Sequence, residues 1–430
     1  MPARDEERTV DPATRQRLTS ILDRAESNLK DSLLPFWGNS TWDDEHGGFL
    51  TRLDRKGKRI DTSEKLLIMQ ARMISSLASA HRHGITERGY LDLAARGFDF
   101  LLRKMWDAKD AGFFFSVARD GTPNTTRKNT DSHAYAIIAL TDFHMASGRN
   151  DALRWAQKTF DILQERAADR ELGFIEDFDG GEWPVHNDDQ MNLGGRKDIK
   201  TIDTHVNLLE SFCYLLRSSK APEHRQALKG LLDLLVLKGI HHEYGCTITS
   251  VDRDWNPLPD ANGKMTTCYG LNVEASWLML AAADLLRESR DKYRDVILGL
   301  VDHALDYGFD HERGGLASYG PLSGKVTDAA DLNDSRLLKP WWGQAEMLNA
   351  LLDVYRWTGS PNYLSAFEKL FDWIWAYQID HRYGGWYQEV RWDTGEPVTT
   401  DKGREWKAAF HASRALIRTS DALRQILRAA

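Results

Sequence analysis

One turn recurs six times along the 430-residue chain and limits its possible folds more than any other feature. It runs Asp, a few polar residues, one or two Gly, then an aromatic or aliphatic residue. Copies are Asp43 to Phe49, Asp107 to Phe113, Asp169 to Phe174, Asp310 to Leu316 and Asp380 to Trp386, with a degenerate copy at His242-Glu243-Tyr244-Gly245. The glycines Gly48, Gly112, Gly173, Gly245, Gly315 and Gly385 lie 64, 61, 72, 70 and 70 residues apart. Six units of this size fill nearly the whole sequence, the signature of a repeat architecture.

Between the turns the sequence is apolar at helical spacing, or apolar nearly all round. Twelve helices are expected, two per unit: Ala13 to Trp37, Lys65 to His81, Tyr90 to Met105, Ser132 to Ala146, Ala152 to Ala168, Thr204 to Arg217, His224 to Lys238, Val273 to Arg287, Lys292 to Tyr307, Trp341 to Trp357, Ser365 to Tyr377 and Lys407 to Leu427. Each turn leads into a short strand-like stretch such as Gly112 to Ser116 or Gly385 to Val390. The expected fold is all-α, an (α/α)6 barrel of six helix pairs with short β-hairpin-like loops, in which alternate helices line the inside. An open solenoid of helix pairs is the competing architecture. No Pro-rich or Ser-rich linker interrupts the units, so residues 16–430 read as one catalytic domain behind a tail at 1–15.

Composition narrows the function. Lys plus Arg number 56 against 64 Asp plus Glu, a net charge of -8, which argues against nucleic acid as a partner. There is no run of 18 apolar residues and no signal-peptide pattern at the N-terminus, so neither a membrane nor export is expected. Three irregularly spaced cysteines, Cys213, Cys246 and Cys268, suit a reducing cytoplasmic compartment better than a disulfide or zinc framework. No metal site is expected, because His81-Arg82-His83 and His241-His242 lack a third ligand at defined spacing. No nucleotide or other cofactor is expected, because no phosphate-cradling Gly loop occurs. A monomer or weak homodimer is the expectation. The 15 Trp, 13 Tyr and 16 Phe fit either a core rich in large residues or a carbohydrate cleft, where flat sugar faces stack on rings.

Ionisable residues on buried helix faces mark candidate chemistry, since burial without purpose is costly. Arg72 sits in a helix apolar nearly all round and reads as a structural ion pair or an anion stabiliser. His205 shares the stripe 205, 208, 209, 212, with Asp203 or Thr204 as the helix cap, and reads as a core residue or a catalytic one. Glu274 lies on the stripe 271, 274, 275, 278 and Glu346 on 342, 345, 346, 349. The two are either an acid/base pair or anchors that hold a His, an Arg or a sugar hydroxyl. His411 has Lys407 and Arg414 on its own face, and nearby cations favour its neutral, proton-accepting form.

The strings Lys200-Thr201-Ile202-Asp203-Thr204-His205 with Glu210, Tyr269-Gly270 to Glu274-Ala275-Ser276-Trp277, Lys339-Pro340-Trp341-Trp342-Gly343-Gln344-Ala345-Glu346, and Trp406-Lys407 to Phe410-His411-Ala412-Ser413-Arg414 resemble the motifs of the N-acylglucosamine 2-epimerase superfamily. They are most similar to its cellobiose 2-epimerase branch, in order, from about residue 20 to the C-terminus. The resemblance implies an (α/α)6 barrel and a reaction in which a reducing sugar opens, loses its C2 proton and regains it on the other face or at C1. It implies His411 as the C2 acid/base, Arg72 as stabiliser of the enediolate, His205 as an aid to ring opening and Glu274 as a support for the histidines. Substrate contacts are implied for Trp342, Trp341, Trp406, Asp203 and Glu346. The family's Tyr-Gly-His string, which carries a second acid/base histidine, reads Tyr269-Gly270-Leu271 here.

The reading is a carbohydrate 2-epimerase acting on a cellobiose-type disaccharide or on glucose or mannose. The alternatives are an aldose–ketose isomerase of the mannose type, a sugar-binding homologue with reduced chemistry, and an inverting glycoside hydrolase using Glu274 and Glu346, or Asp131 beside His133. The segments Asp188 to Asn192 and Tyr319 to Asp334 are expected at the rim of the cleft.

Overall fold

The structure is a computed structural model, and it describes residues 10–60, 64–86, 88–169, 172–186, 199–260, 263–329 and 335–429. The expected rim segment Asp188 to Asn192 and residues 330–334 lie outside them, as do residues 1–9.

Fourteen α-helices are found among the described residues: α1 (Pro12–Ser27), α2 (Leu34–Ser40), α3 (Leu67–Arg82), α4 (Tyr90–Phe100), α5 (Thr130–Ser147), α6 (Asn150–Ile162), α7 (Ile202–Ser219), α8 (Pro222–Lys238), α9 (Tyr269–Leu286), α10 (Arg294–His303), α11 (Val326–Ala329), α12 (Trp341–Thr358), α13 (Pro361–Trp373) and α14 (Phe410–Ala429). The helix expected from Ala13 to Trp37 is interrupted by a π-helical turn at Asn28–Leu33. Similar π turns end α4, α6, α10 and α13 just before the Gly turn. Helix α1 is capped by Asp11, whose carboxylate accepts from the Ala13 and Thr14 amides, so part of the stretch read as a tail is helical.

Helices α3, α5, α7, α9, α12 and α14 pack on one another in that order, and α14 packs back on α3. The ring is closed. The second helix of each pair lies outside it: α4 on α3, α6 on α5, α8 on α7, α10 on α9, α13 on α12 and α1 on α14. This is the (α/α)6 barrel, and closure excludes the open solenoid. The two layers bury their helices differently. In α5 every residue from Thr130 to Phe143 is buried, whereas α6 buries the stripe Ala152, Ala156, Thr159 and Phe160.

The Gly turns are tight hairpins closed by antiparallel pairs such as Trp42 with Phe49, Trp106 with Phe113 and Ile379 with Trp386. An ion pair made by a buried lysine fixes each of five units: Lys65–Asp43, Lys128–Asp107, Lys200–Asp169 and Lys339–Asp310 at 2.9 Å, and Lys402–Asp380 at 3.0 Å. Each lysine precedes an inner helix and each aspartate opens a Gly turn, so the pair clamps turn to helix. The degenerate fourth unit has Thr267 in the lysine's place. Five residues after these positions, a polar side chain holds the backbone beyond the turn. Gln70 Oε1 accepts from Phe49, His133 Nε2 from Phe113, His205 Nε2 from Phe174, Asn272 Oδ1 from Thr247 and Gln344 Oε1 from Leu316.

The short strand before each of α3, α5, α7, α9 and α12 pairs with a strand that follows a Gly turn in the next unit, as Glu64–Leu66 does with Ser116–Ala118. A bridge between Leu53 and Gly403 joins the last unit to the first. Neighbouring units are thereby stitched together at the end of the barrel where the inner helices begin. No helix among the described residues is long and apolar enough to cross a membrane.

Candidate active site

At that end the ring opens into a cavity of about 330 Å³. All six inner helices supply its wall: Arg72 from α3, Asp131 and Tyr135 from α5, Asp203 and Asn207 from α7, Leu271 and Glu274 from α9, Trp341 and Trp342 from α12, and His411 from α14. Trp406, Cys268 and Tyr319 enter from the connecting segments. An inner helix is packed on every side, so apolar periodicity does not reveal which face looks inward. The polar residues at i, i+3 or i+4 do: Asp203, Asn207 and Glu210 on α7, and His411 and Arg414 on α14.

His411 is buried, and its Nδ1 lies 2.6 Å from Glu346 Oε1. Burial alone would raise the Glu346 pKa, but Arg414 and His411 hold it down at about 2, so Glu346 is ionised. A carboxylate only accepts, which puts the His411 proton on Nδ1 and leaves Nε2 as the free base. Burial, aided by Arg72 and Arg414 and opposed by Glu346, lowers the His411 pKa to about 4. The imidazole is therefore neutral at pH 7. Trp341 and Trp342 pack beside it at centroid distances of 6.3 and 6.2 Å.

Arg414 forms the floor. It reaches across the barrel to ion-pair with Glu210 on α7, and its Nη2 lies 3.1 Å from Glu274 and 2.7 Å from Glu346. The anchor reading of Glu274 and Glu346, holding a His or an Arg, agrees with these contacts; Arg414 as the hub that also takes Glu210 was missed, because the three glutamates come from three different helices, and the available signal was Arg414 three residues after His411. The atoms of Glu274, Glu346 and His411 lie within 4.8 Å of one another, close enough for a metal, but the Arg414 guanidinium already supplies the cation between the two carboxylates. Their proximity also removes the hydrolase pairing, which needs an acid and a base roughly 6.5 to 9.5 Å apart on opposite sides of a bond. Glu274 is held well above the ordinary carboxylate range by burial and by the Glu346 charge, against Arg414.

Arg72 donates from Nη1 to the Trp406 carbonyl, and its guanidinium stacks 4.2 Å from the centre of the Tyr135 ring. Among the described residues no partner meets Arg72 Nε or Trp341 Nε1, although both atoms are buried and both side chains line the cavity. These donors suit sugar oxygens.

Four sequence expectations are corrected. His205 is fully buried outside the cavity: Nδ1 donates to the Thr201 carbonyl at 2.7 Å and Nε2 accepts the Phe174 amide at 3.0 Å. Neither nitrogen is left for a substrate. Its stripe 205, 208, 209, 212 packs against neighbouring helices, while 203, 207 and 210 face inward. The α7 cap is Thr201, whose hydroxyl accepts from the Thr204 amide, rather than Asp203 or Thr204. At Gly173, where φ is +81°, a Cβ would sit 2.4 Å from His205 Nε2, so the turn and the histidine are built for each other. His133 makes the same contacts with Phe113 and Asn129, which removes it as a partner for Asp131. Lys407 precedes α14 and donates to the Trp386 and Lys402 carbonyls, so it is not on the helical face of His411.

His205→Gln is expected to fold and turn over like the native chain, because Gln70 and Gln344 do the same work in other units. His205→Leu leaves the Phe174 amide unpaired and is expected to cost about 1–3 kcal/mol in urea unfolding. A folded His205→Gln protein without activity would contradict the structural assignment.

The profile of the N-acylglucosamine 2-epimerase (GlcNAc 2-epimerase) family matches residues 47–415. The chain is 26% identical to the cellobiose 2-epimerase of Ruminococcus albus over 92% of its own length and 97% of that protein. It is 25% identical to the N-acylglucosamine 2-epimerase of Mus musculus, over 91% and 89%. The structure of cellobiose 2-epimerase from Spirochaeta thermophila superimposes with a TM-score of 0.84 at 29% identity, over 97% of this chain and 100% of that one. A D-mannose isomerase shares the fold, with a TM-score of 0.79 at 19% identity over 97% and 99%. A barrel closed from six helix pairs, a neutral histidine held by a carboxylate and a family profile spanning most of the sequence converge: the chain belongs to the N-acylglucosamine 2-epimerase family.

Proposed function

We propose that this protein is a 2-epimerase of the reducing-end aldose, taking a cellobiose-type β-1,4 disaccharide or glucose and mannose. The observation that carries the reading is His411, neutral, with Nδ1 held by ionised Glu346, in a cavity that Arg72 also lines. A proton on the carbon next to an aldehyde is removed by a base near neutrality only if the oxygen that gains charge is stabilised. His411 Nε2 takes the C2 proton, and the electron pair moves into the C1–C2 bond as the C1 oxygen becomes an enediolate oxygen. The Arg72 guanidinium stabilises that charge. Trp342 and Trp341 offer apolar faces to the sugar ring. No cofactor is needed for these steps.

The activity is expected to fall as the pH drops through about 4, because the folded-state His411 pKa is depressed to that value and only the neutral ring accepts a proton. A kcat/KM profile between pH 3 and 7 checks this.

Leu271, apolar and lining the cavity, favours a second reading: an aldose–ketose isomerase that returns the proton to C1 from one face. Incubation with cellobiose, glucose, mannose or N-acetylglucosamine, followed by chromatography of the products, separates the readings. A C2 epimer supports the epimerase, a ketose the isomerase, and no product from any of the four contradicts both.

A further inference from the structure

Epimerisation needs a proton donor on the face of the enediolate opposite His411, and Leu271 cannot be that donor. In the ring order α3, α5, α7, α9, α12, α14 the helix three places from α14, directly across the cavity, is α7. Its residue at the cavity wall beside Asn207 is Asp203, half-buried and, among the described residues, without a hydrogen bond to its carboxyl. The neighbouring helix α5 contributes Asp131, buried, whose Oδ1 accepts from Asn207 Nδ2 at 2.8 Å; Asn207 Oδ1 in turn accepts from Tyr135 at 3.1 Å. We propose that Asp203, paired with Asp131, is the second proton-transfer group of this cavity, so that the chain epimerises with one histidine and one carboxyl in place of two histidines. This rests on the epimerase reading above.

Other groups on that side are poor candidates. Burial pushes the Cys268 thiol up to about 12, and the Tyr319 hydroxyl is held well above its usual range by Cys268 and by burial. Neither can give and regain a proton near neutrality. Arg72 favours the ionised form of both aspartates, whereas the charges of Asp203 and Asp177 oppose that of Asp131, and Asp203 and Glu274 oppose each other. Burial and the Asp203 charge raise Asp131 to about 7, and burial raises Asp203, so the pair can hold a proton near neutral pH. The unpartnered Arg72 Nε and Trp341 Nε1 in the same wall mark this space as the place of the substrate.

The step balances within the protein. His411 Nε2 removes the C2 proton, the Asp203 O–H bond breaks as its proton forms the new C–H bond on the opposite face of C2, and the C1 carbonyl returns. The products are the epimer, a protonated His411 and an Asp203 carboxylate; solvent exchange after release restores both. The reverse reaction uses Asp203 as base and His411 as acid. Asp131 and Asn207 are positioning residues.

The test follows, in D2O and by proton NMR, exchange at C2 and inversion at C2 separately, on whichever of cellobiose, glucose and mannose the native protein converts. Asp203→Asn is expected to retain deuterium uptake into one epimer through His411 while inversion falls at least about 100-fold. Adding Leu271→His to that variant is expected to restore inversion. Inversion at the native rate in Asp203→Asn overturns the proposal, as does an equal loss of exchange and inversion starting from either epimer, which would make Asp203 a binding residue. If the native protein inverts no aldose, the epimerase reading itself fails and this inference with it. Native inversion that survives Asp203→Asn removes only the role of Asp203.

Discussion

His411→Ala is expected to lower kcat by at least about 100-fold and up to about 10,000-fold, with the fold intact. His411 is the one neutral histidine in the cavity wall among the described residues, and its tautomer is set by Glu346 at 2.6 Å. Truncation removes the proposed acceptor for the C2 proton, while the Arg414 hub beneath keeps its three glutamate partners. Glu346→Gln acts one step back. An amide still contacts Nδ1, but it no longer fixes which ring nitrogen carries the proton, so a smaller loss in kcat is expected with KM little changed. Steady-state kinetics beside thermal unfolding separate these effects from simple destabilisation.

Arg414→Leu is expected to show the largest effect on stability, a loss of about 3–5 kcal/mol, because one buried cation keeps Glu346 ionised and is also the partner of Glu210 and Glu274. The loss should depend on pH. In the native chain Glu346 is depressed to about 2, so its contribution is present above the ordinary glutamate range and is lost only as the pH falls toward 2. Burial already raises Glu210 and Glu274 in the native chain, against Arg414; without that cation they rise further and Glu346 rises with them. A raised carboxyl favours the folded state below its pKa and opposes it as the pH rises, so the deficit should be smaller at pH 5 than at pH 8. Urea unfolding at the two pH values measures it, and a deficit independent of pH would mean that the three carboxylates are not the reason for the loss.

Much of the fold was legible because its six turns need glycine and aspartate at fixed places, and those residues survive in all but the fourth copy. Ring closure was expected from the count of six similar units and from the resemblance, and the packing of α14 on α3 bears it out. Arg72, Glu274 and His411 were legible as charged or titratable groups in helices otherwise apolar, and the tryptophans through the motifs that carry them. His205, left open between a core and a catalytic residue, falls in the core, against the role the resemblance implied, for a physical reason: on a helix packed all round, the most continuous apolar stripe faces the neighbouring helices, and the interrupted stripe of Asp203, Asn207 and Glu210 faces the cavity. Histidine is also an efficient pin for a buried amide, as His133 shows with Phe113, so its presence in a core is no sign of chemistry by itself. Asp131 was read beside its sequence neighbour His133, whereas the barrel pairs it with Asn207 on the next helix.

The most direct measurement is proton NMR of the native protein with cellobiose and with mannose in D2O, following the C2 proton of each sugar without added metal or nucleotide. Loss of the C2 signal together with appearance of the C2-deuterated epimer is the expected result, since the proton taken by the base is lost to solvent and the one returned to C2 comes from a group that has exchanged with D2O. A protein that leaves the C2 proton of both sugars in place, while folded and saturated with substrate, would contradict the assignment of His411 as the C2 base.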